Sequence, residues 1–137
     1  MSEALQAART RLASVDKSPD RAVQWFASAG YAVLPLGVAW SVVCVRGRLG
    51  IEAWVRVGGP AIHDTGAQRV YFLLPPDTTW WPCRVGEFLT AGQWLSVPDP
   101  SRTEPPGSYW LHPPADPLVT PDALKAALRS LTGEAVA

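Results

Sequence analysis

Two histidines, two cysteines and twelve carboxylates are the side chains of this 137-residue protein that could carry chemistry. Nucleophilic catalysis needs a base within hydrogen-bond reach of the nucleophile. His63 and His112 each stand alone, one in a hairpin sequence and one beside Pro113-Pro114, so both read first as packing or surface residues. Cys44 lies in the apolar run Val42-Val-Cys-Val45, where burial raises a thiol's pKa and makes it inert. Cys83, between Trp81-Pro82 and Arg84, is the better candidate for a reactive thiol. The two cysteines form no CxxC pair and no zinc spacing. Gly58-Gly59 lacks the Lys-Ser/Thr of a phosphate-cradling loop.

Aromatic and basic residues are the remaining candidates. Seven tryptophans are many for this length, and Trp80-Trp81 is a tandem pair. Adjacent residues of one strand point to opposite faces, so one of that pair should be exposed or in a groove. Trp25, Trp40 and Trp54 fall on apolar faces, whereas Trp80, Trp81, Trp94 and Trp110 could form a stacking surface. Arg46-Gly-Arg48 is a short basic loop candidate, balanced against the plainer reading of solvated surface.

These residues need elements to position them. Leu5, Ala8, Leu12 and Val15 make a weak amphipathic stripe from Glu3 to Val15, ended by Asp16-Lys-Ser-Pro19. Ser18 as N-cap and Pro19 at the first position open a second helix with Ala22, Val23, Trp25, Phe26 and Ala29 inward and Gly30 as its stop. Tyr31–Leu36 and Trp40–Val45 read as strands, the latter buried on both faces at the centre of a sheet. A short helix around Leu49, Trp54 and Val55 precedes Gly58-Gly59, although Gly50 and Ile51 weaken it. Ala61–His63 and Gln68–Leu74 flank the turn Asp64-Thr-Gly-Ala67. Gln93–Val97 and Ser108–Leu111 are further strands. Eleven of fourteen prolines fall between residues 75 and 121, so loops there should be stiff. Thr120 and Pro121 start a final helix with Leu124, Leu128 and Leu131 on one face, Val119 as a staple and Gly133 as the stop.

Helices at both ends of a mostly β middle predict an α+β domain, with helices on one face of a mixed sheet. The expected division is an N-terminal helix or tail over 1–18, the domain over 19–133 and a tail over 134–137. At 47% apolar residues the chain has material for a core, which excludes global disorder. No apolar run is long enough to span a bilayer and the N-terminus lacks a signal-peptide pattern, so a cytoplasmic protein without membrane partners is expected. Twelve bases balance twelve acids, poor footing for a protein that mainly grips a phosphate backbone.

Trp25-Phe-Ala-Ser-Ala-Gly-Tyr-Ala-Val-Leu-Pro-Leu36 resembles the opening of the bifunctional DNA primase/polymerase N-terminal family, the archaeo-eukaryotic-type prim-pol domains. Arg69-Val-Tyr-Phe72 is similar to that family's His-containing strand. Gly86-Glu-Phe-Leu-Thr-Ala-Gly-Gln-Trp-Leu-Ser-Val-Pro98 and Pro106-Gly-Ser-Tyr-Trp110 resemble its acidic residue, glycine-rich turn, apolar strand and closing Tyr-x-Trp. The resemblance runs from about residue 21 to 113 and is nearest to short actinobacterial members. It implies a prim-pol-like fold, but the departures matter more. Polymerisation needs metal ions held by carboxylates, two of them at i and i+2 on one strand face. Here that strand is Val42-Val-Cys-Val45, and no Asp or Glu occurs from Arg21 to Ile51. The nucleotide-binding His is replaced by Arg69, and only Glu87 stands where a third carboxylate would be.

The resulting expectation is a catalytically degenerate, non-enzymatic binding or regulatory module without metal or cofactor. Its groove would be lined by Arg69, Arg84, Glu87 and nearby aromatics. The expected partner is a replication- or defence-associated protein, with nucleic acid second because net charge is zero. The alternative is a protein-interaction module using the Trp80-Trp81 loop and the proline-rich 98–117 segment. An active site assembled from residues distant in sequence stays open.

Overall fold

A computed structural model describes residues 3–80, 84–114 and 117–133. In chain order the elements are α1 (Glu3–Ala13), α2 (Pro19–Ala29), β1 (Tyr31–Pro35), β2 (Ser41–Arg46), α3 (Gly47–Val57), β3 (Ala61–Asp64), β4 (Arg69–Leu74), β5 (Gly86–Leu89), β6 (Trp94–Pro98), β7 (Ser108–His112) and α4 (Pro121–Thr132). The α+β class holds. Among the described residues, no helix is long and apolar enough to cross a membrane.

Proline and glycine punctuation sets the helix ends as expected. Pro19 and Pro121 occupy the first turns of α2 and α4, where the missing N–H costs nothing. Gly30 and Gly133 end them in the left-handed conformation. Ser18 and Thr120 occupy the N-cap positions but make no side-chain capping bond. Val119 and Leu124 are buried in the same cluster, as a staple requires.

β5-β2-β4-β3-β7 form one five-stranded sheet and β1-β6 a separate two-stranded ribbon. Every ladder is antiparallel, so the sheet is not mixed. β4, not β2, is the middle strand, although β2 is paired on both sides. The expected strand Tyr31–Leu36 leaves the main sheet altogether, because its register runs Tyr31↔Pro98 to Pro35↔Trp94 with β6.

Alternation along β2 and β4 splits the core in two. Val43, Val45, Val70, Phe72 and Leu74 face α3 and α4. Val42, Leu73, Ile62 and Trp110 face the other way, onto the ribbon, α1 and α2. Helices therefore cover both faces rather than one. The helix α1 is part of the core and not a tail, since Leu12 and Ala13 are fully packed and Arg9 pairs with Asp99. In α2, Ala22 and Phe26 carry the burial while Ala29 is exposed.

Gly50 did not weaken α3; it permits the helix to dock. A Cβ at this position would lie 2.8 Å from the Val45 carbonyl oxygen and 2.8 Å from Val70 Cγ2. Only a glycine lets the helix backbone approach β2 and β4 this closely.

Candidate functional site

The side of the five-stranded sheet that carries Val42 changes character along β2. Register places Leu89, Val42 and Leu73 in one cross-strand row, and all three pack into the apolar core. The next row holds Glu87, Cys44, Tyr71 and Ile62. The row after that holds Arg46, Arg69 and Asp64. Two residues of travel along the strands thus turn a hydrophobic floor into an ionisable surface, because strand alternation puts every second residue on this face.

An open pocket of about 560 Å³ lies over this surface, lined by Cys44, Arg46, Arg84, Val85, Gly86 and Glu87. Arg46 and Arg69 are directly opposite one another. Like charges at directly paired sheet positions destabilise the pair. Asp64, opposite Arg69 on the other side, spends its Oδ1 accepting from the Gly66 and Ala67 N–H groups of its turn. The α3 helix starts at Gly47 with no acid in its first turn, so its positive end adds to Arg46 and Arg48. Among the described residues, Glu87 is the carboxylate within the pocket.

Cys44 sits beneath this charged layer, 3% exposed. Burial pushes its thiol above the ordinary range, Glu87 adds to that, and Arg69 opposes it. Burial and the neighbouring Cys44 and Asp64 likewise raise the Tyr71 hydroxyl, again opposed by Arg69. Arg69 acts on both groups from the next row of the same face. At neutral pH both groups are protonated, so Cys44 and Tyr71 are neutral polar groups beneath the arginines.

The expected site residues divide accordingly. Arg46, Arg84 and Glu87 line one pocket, and Arg69 is the register partner of Arg46 beside it. The stretch at Arg46 is not a basic loop: Arg46 ends β2 and Arg48 lies exposed in the first turn of α3. The four-tryptophan stacking surface does not form. Trp110 is 1% exposed and donates its indole N–H to the Pro98 carbonyl at 2.9 Å, so it is a core residue. Trp80 packs on the α3–α4 side of the sheet, against the cluster those helices bury. Trp94 is 56% exposed but on the ribbon, outside the arginine pocket. Trp81 and Cys83 lie outside the described residues.

His63 is held by the Tyr109 hydroxyl at 2.9 Å from Nδ1, with the two rings edge to face. Burial lowers its pKa. His112 is exposed, with Nδ1 2.9 Å from the Pro113 carbonyl oxygen. Among the described contacts, the group beside His63 is the Tyr109 hydroxyl and that beside His112 is a backbone carbonyl, with no Ser, Thr or Cys at either. No group of three or more His, Cys, Asp or Glu that could hold a metal ion occurs among the described residues.

Tyr71 and Asp64 are members of the site that sequence reasoning missed. Their signal was the two-residue step from Arg69 to Tyr71 within a strand, which puts both side chains on one face. Comparison with family models, with curated proteins and with solved structures found no match to this chain.

Proposed function

We propose that this protein is a non-enzymatic binding module, laid out like a degenerate prim-pol domain, that takes a phosphate-bearing ligand on the open sheet face. The observation that carries the reading is the register pair Arg46↔Arg69, with Arg84 in the adjoining pocket. Arginines at directly paired positions of a β-sheet bring like charges to one face, and an anion bound between them would answer both. Arginine suits the task because its planar fork donates two parallel bonds to a phosphate. Zero net charge is compatible with such a site because the cations are local rather than spread over the surface.

The polymerase half of the resemblance is not proposed. On the floor strand the face-sharing positions Val42 and Cys44 offer no anionic oxygen, and Glu87 alone leaves a divalent ion mostly hydrated.

The test is a titration with single-stranded DNA, single-stranded RNA and a nucleoside triphosphate over a salt series. Affinity should fall linearly in log–log form with salt, and Arg46→Ala and Arg69→Ala should each reduce the slope for a nucleic acid by about 1. Absence of binding to all three at low salt would sink the proposal. Primer extension with Mg²⁺ or Mn²⁺ that disappears in Glu87→Gln would overturn its non-enzymatic part.

A further inference from the structure

The outer face of the β1–β6 ribbon carries a second surface that shares no residue with the arginine pocket. Trp94 and Val33 project from the ribbon, and Trp25 and Arg21 reach over it from α2, enclosing a groove of about 440 Å³. Tyr31 extends the aromatic wall, with its ring centroid 6.2 Å from that of Trp25. Trp94 and Tyr31 are 56% and 42% exposed, a large apolar area to leave in water.

The lining is selective. Among the described residues that line it, Arg21 is the charged one, its side chain two-thirds exposed and in a loose 3.6 Å contact with Asp16. A sugar would find too few hydrogen-bond partners here, and a nucleic-acid strand would find no cationic track. The groove suits a rigid apolar segment that ends in a single carboxylate. Proline rings stack flat on indole faces and lose little entropy on docking.

Such a segment stands on this chain. Residues 101–107 are all exposed and contain Glu104-Pro105-Pro106, with the neighbouring Arg102 engaged by the Pro106 carbonyl. The segment lies at the Tyr31–Pro98 end of the ribbon, because Arg102 Nη1 is 3.5 Å from the Cβ position of Gly30, whereas Trp94 pairs with Pro35 at the other end. Segment and groove thus sit toward opposite ends of one ribbon. In a dimer with a two-fold axis between them, each copy would give its segment and receive the other's.

We propose that this protein forms a symmetric dimer in which Pro105 and Pro106 of each copy stack on Trp25 and Trp94 of the other, with Glu104 paired to Arg21. Sedimentation equilibrium of the full chain from about 1 to about 500 µM should show a reversible monomer–dimer equilibrium with a micromolar Kd, the range of small interfaces. Arg21→Glu and Glu104→Arg should each weaken it by about tenfold or more, since each sets like charges together. The combined variant should restore most of the affinity, which a mere folding defect could not do. Trp94→Ala should also weaken the dimer by about tenfold. A monomer throughout the range, open polymers instead of a dimer, or single variants that change nothing or are not rescued by their combination would each overturn the proposal.

Discussion

The contact that joins the first helix to the rest of the molecule should be the most sensitive electrostatic point in the fold. Arg9 donates from Nε to Asp99 Oδ1 at 2.8 Å and from Nη2 to Oδ2 at 3.2 Å. Both side chains are at least nine-tenths buried. Asp99 also accepts from the Ser101 N–H and hydroxyl. Arg9→Met keeps most of the aliphatic stem but leaves a buried carboxylate with only Ser101, a change that costs about 3–5 kcal/mol. With a urea m-value of about 2 kcal/mol/M, the unfolding midpoint should fall by roughly 1.5–2.5 M. The double variant Arg9→Met with Asp99→Leu removes both charges and should recover most of that loss. The pH dependence has a fixed sign. Burial opposes ionisation of Asp99, but the bonds from Arg9 and Ser101 outweigh it and hold the carboxyl below its ordinary value. Its contribution is therefore complete above the unfolded value of about 4 and lost as pH falls through the lower, folded value. The stability gap between wild type and Asp99→Asn should be constant from about pH 8 to 5 and close below about pH 4. An unchanged midpoint for Arg9→Met would refute the reasoning, because it would mean that α1 is not docked through this pair.

Three further outcomes follow from packing. Leu128 is fully buried between α4 and the sheet, so Leu128→Ala should cost about 2–5 kcal/mol in chemical denaturation; no change would mean that α4 is detached from the core. Gly50→Ala gains about 1 kcal/mol of helix propensity but forces a methyl against a backbone oxygen, so calorimetry should find net destabilisation; a raised Tm would show that α3 can move away at no cost. Cys44 should resist a thiol reagent in the native protein and react only on unfolding; rapid native labelling, mapped to its peptide, would contradict the depth and raised pKa of that thiol.

Local chemistry was legible in the residues because it acts over a few positions. Pro19, Gly30, Pro121 and Gly133 punctuate α2 and α4 whatever surrounds them, since they set backbone angles and missing donors. The apolar run Ser41–Val45 could only be a buried strand, and Asp64-Thr-Gly-Ala67 could only turn the chain back. The order of helix and strand signals likewise pointed to the α+β class, and the buried state of Cys44 followed from its neighbours.

What only the tertiary structure decided depends on which strand lies beside which. Tyr31–Pro35 has no local property that sends it to β6 instead of the main sheet. Gly86–Leu89 is too short and too mixed to announce itself, and becomes β5 by pairing with β2. Trp94 and Trp110 are the same residue type, each in a short strand of the proline-rich half, yet one faces solvent and the other fills the core. The arginine pair that carries the proposed function is the clearest case. Arg46 and Arg69 are 23 positions apart, and only the β2–β4 register, set by burying Val43, Val45, Val70 and Phe72 under the helices, brings them face to face. A slip of one residue would have turned every one of those side chains to the opposite face, so the hydrophobic core, not the charges themselves, chose the site.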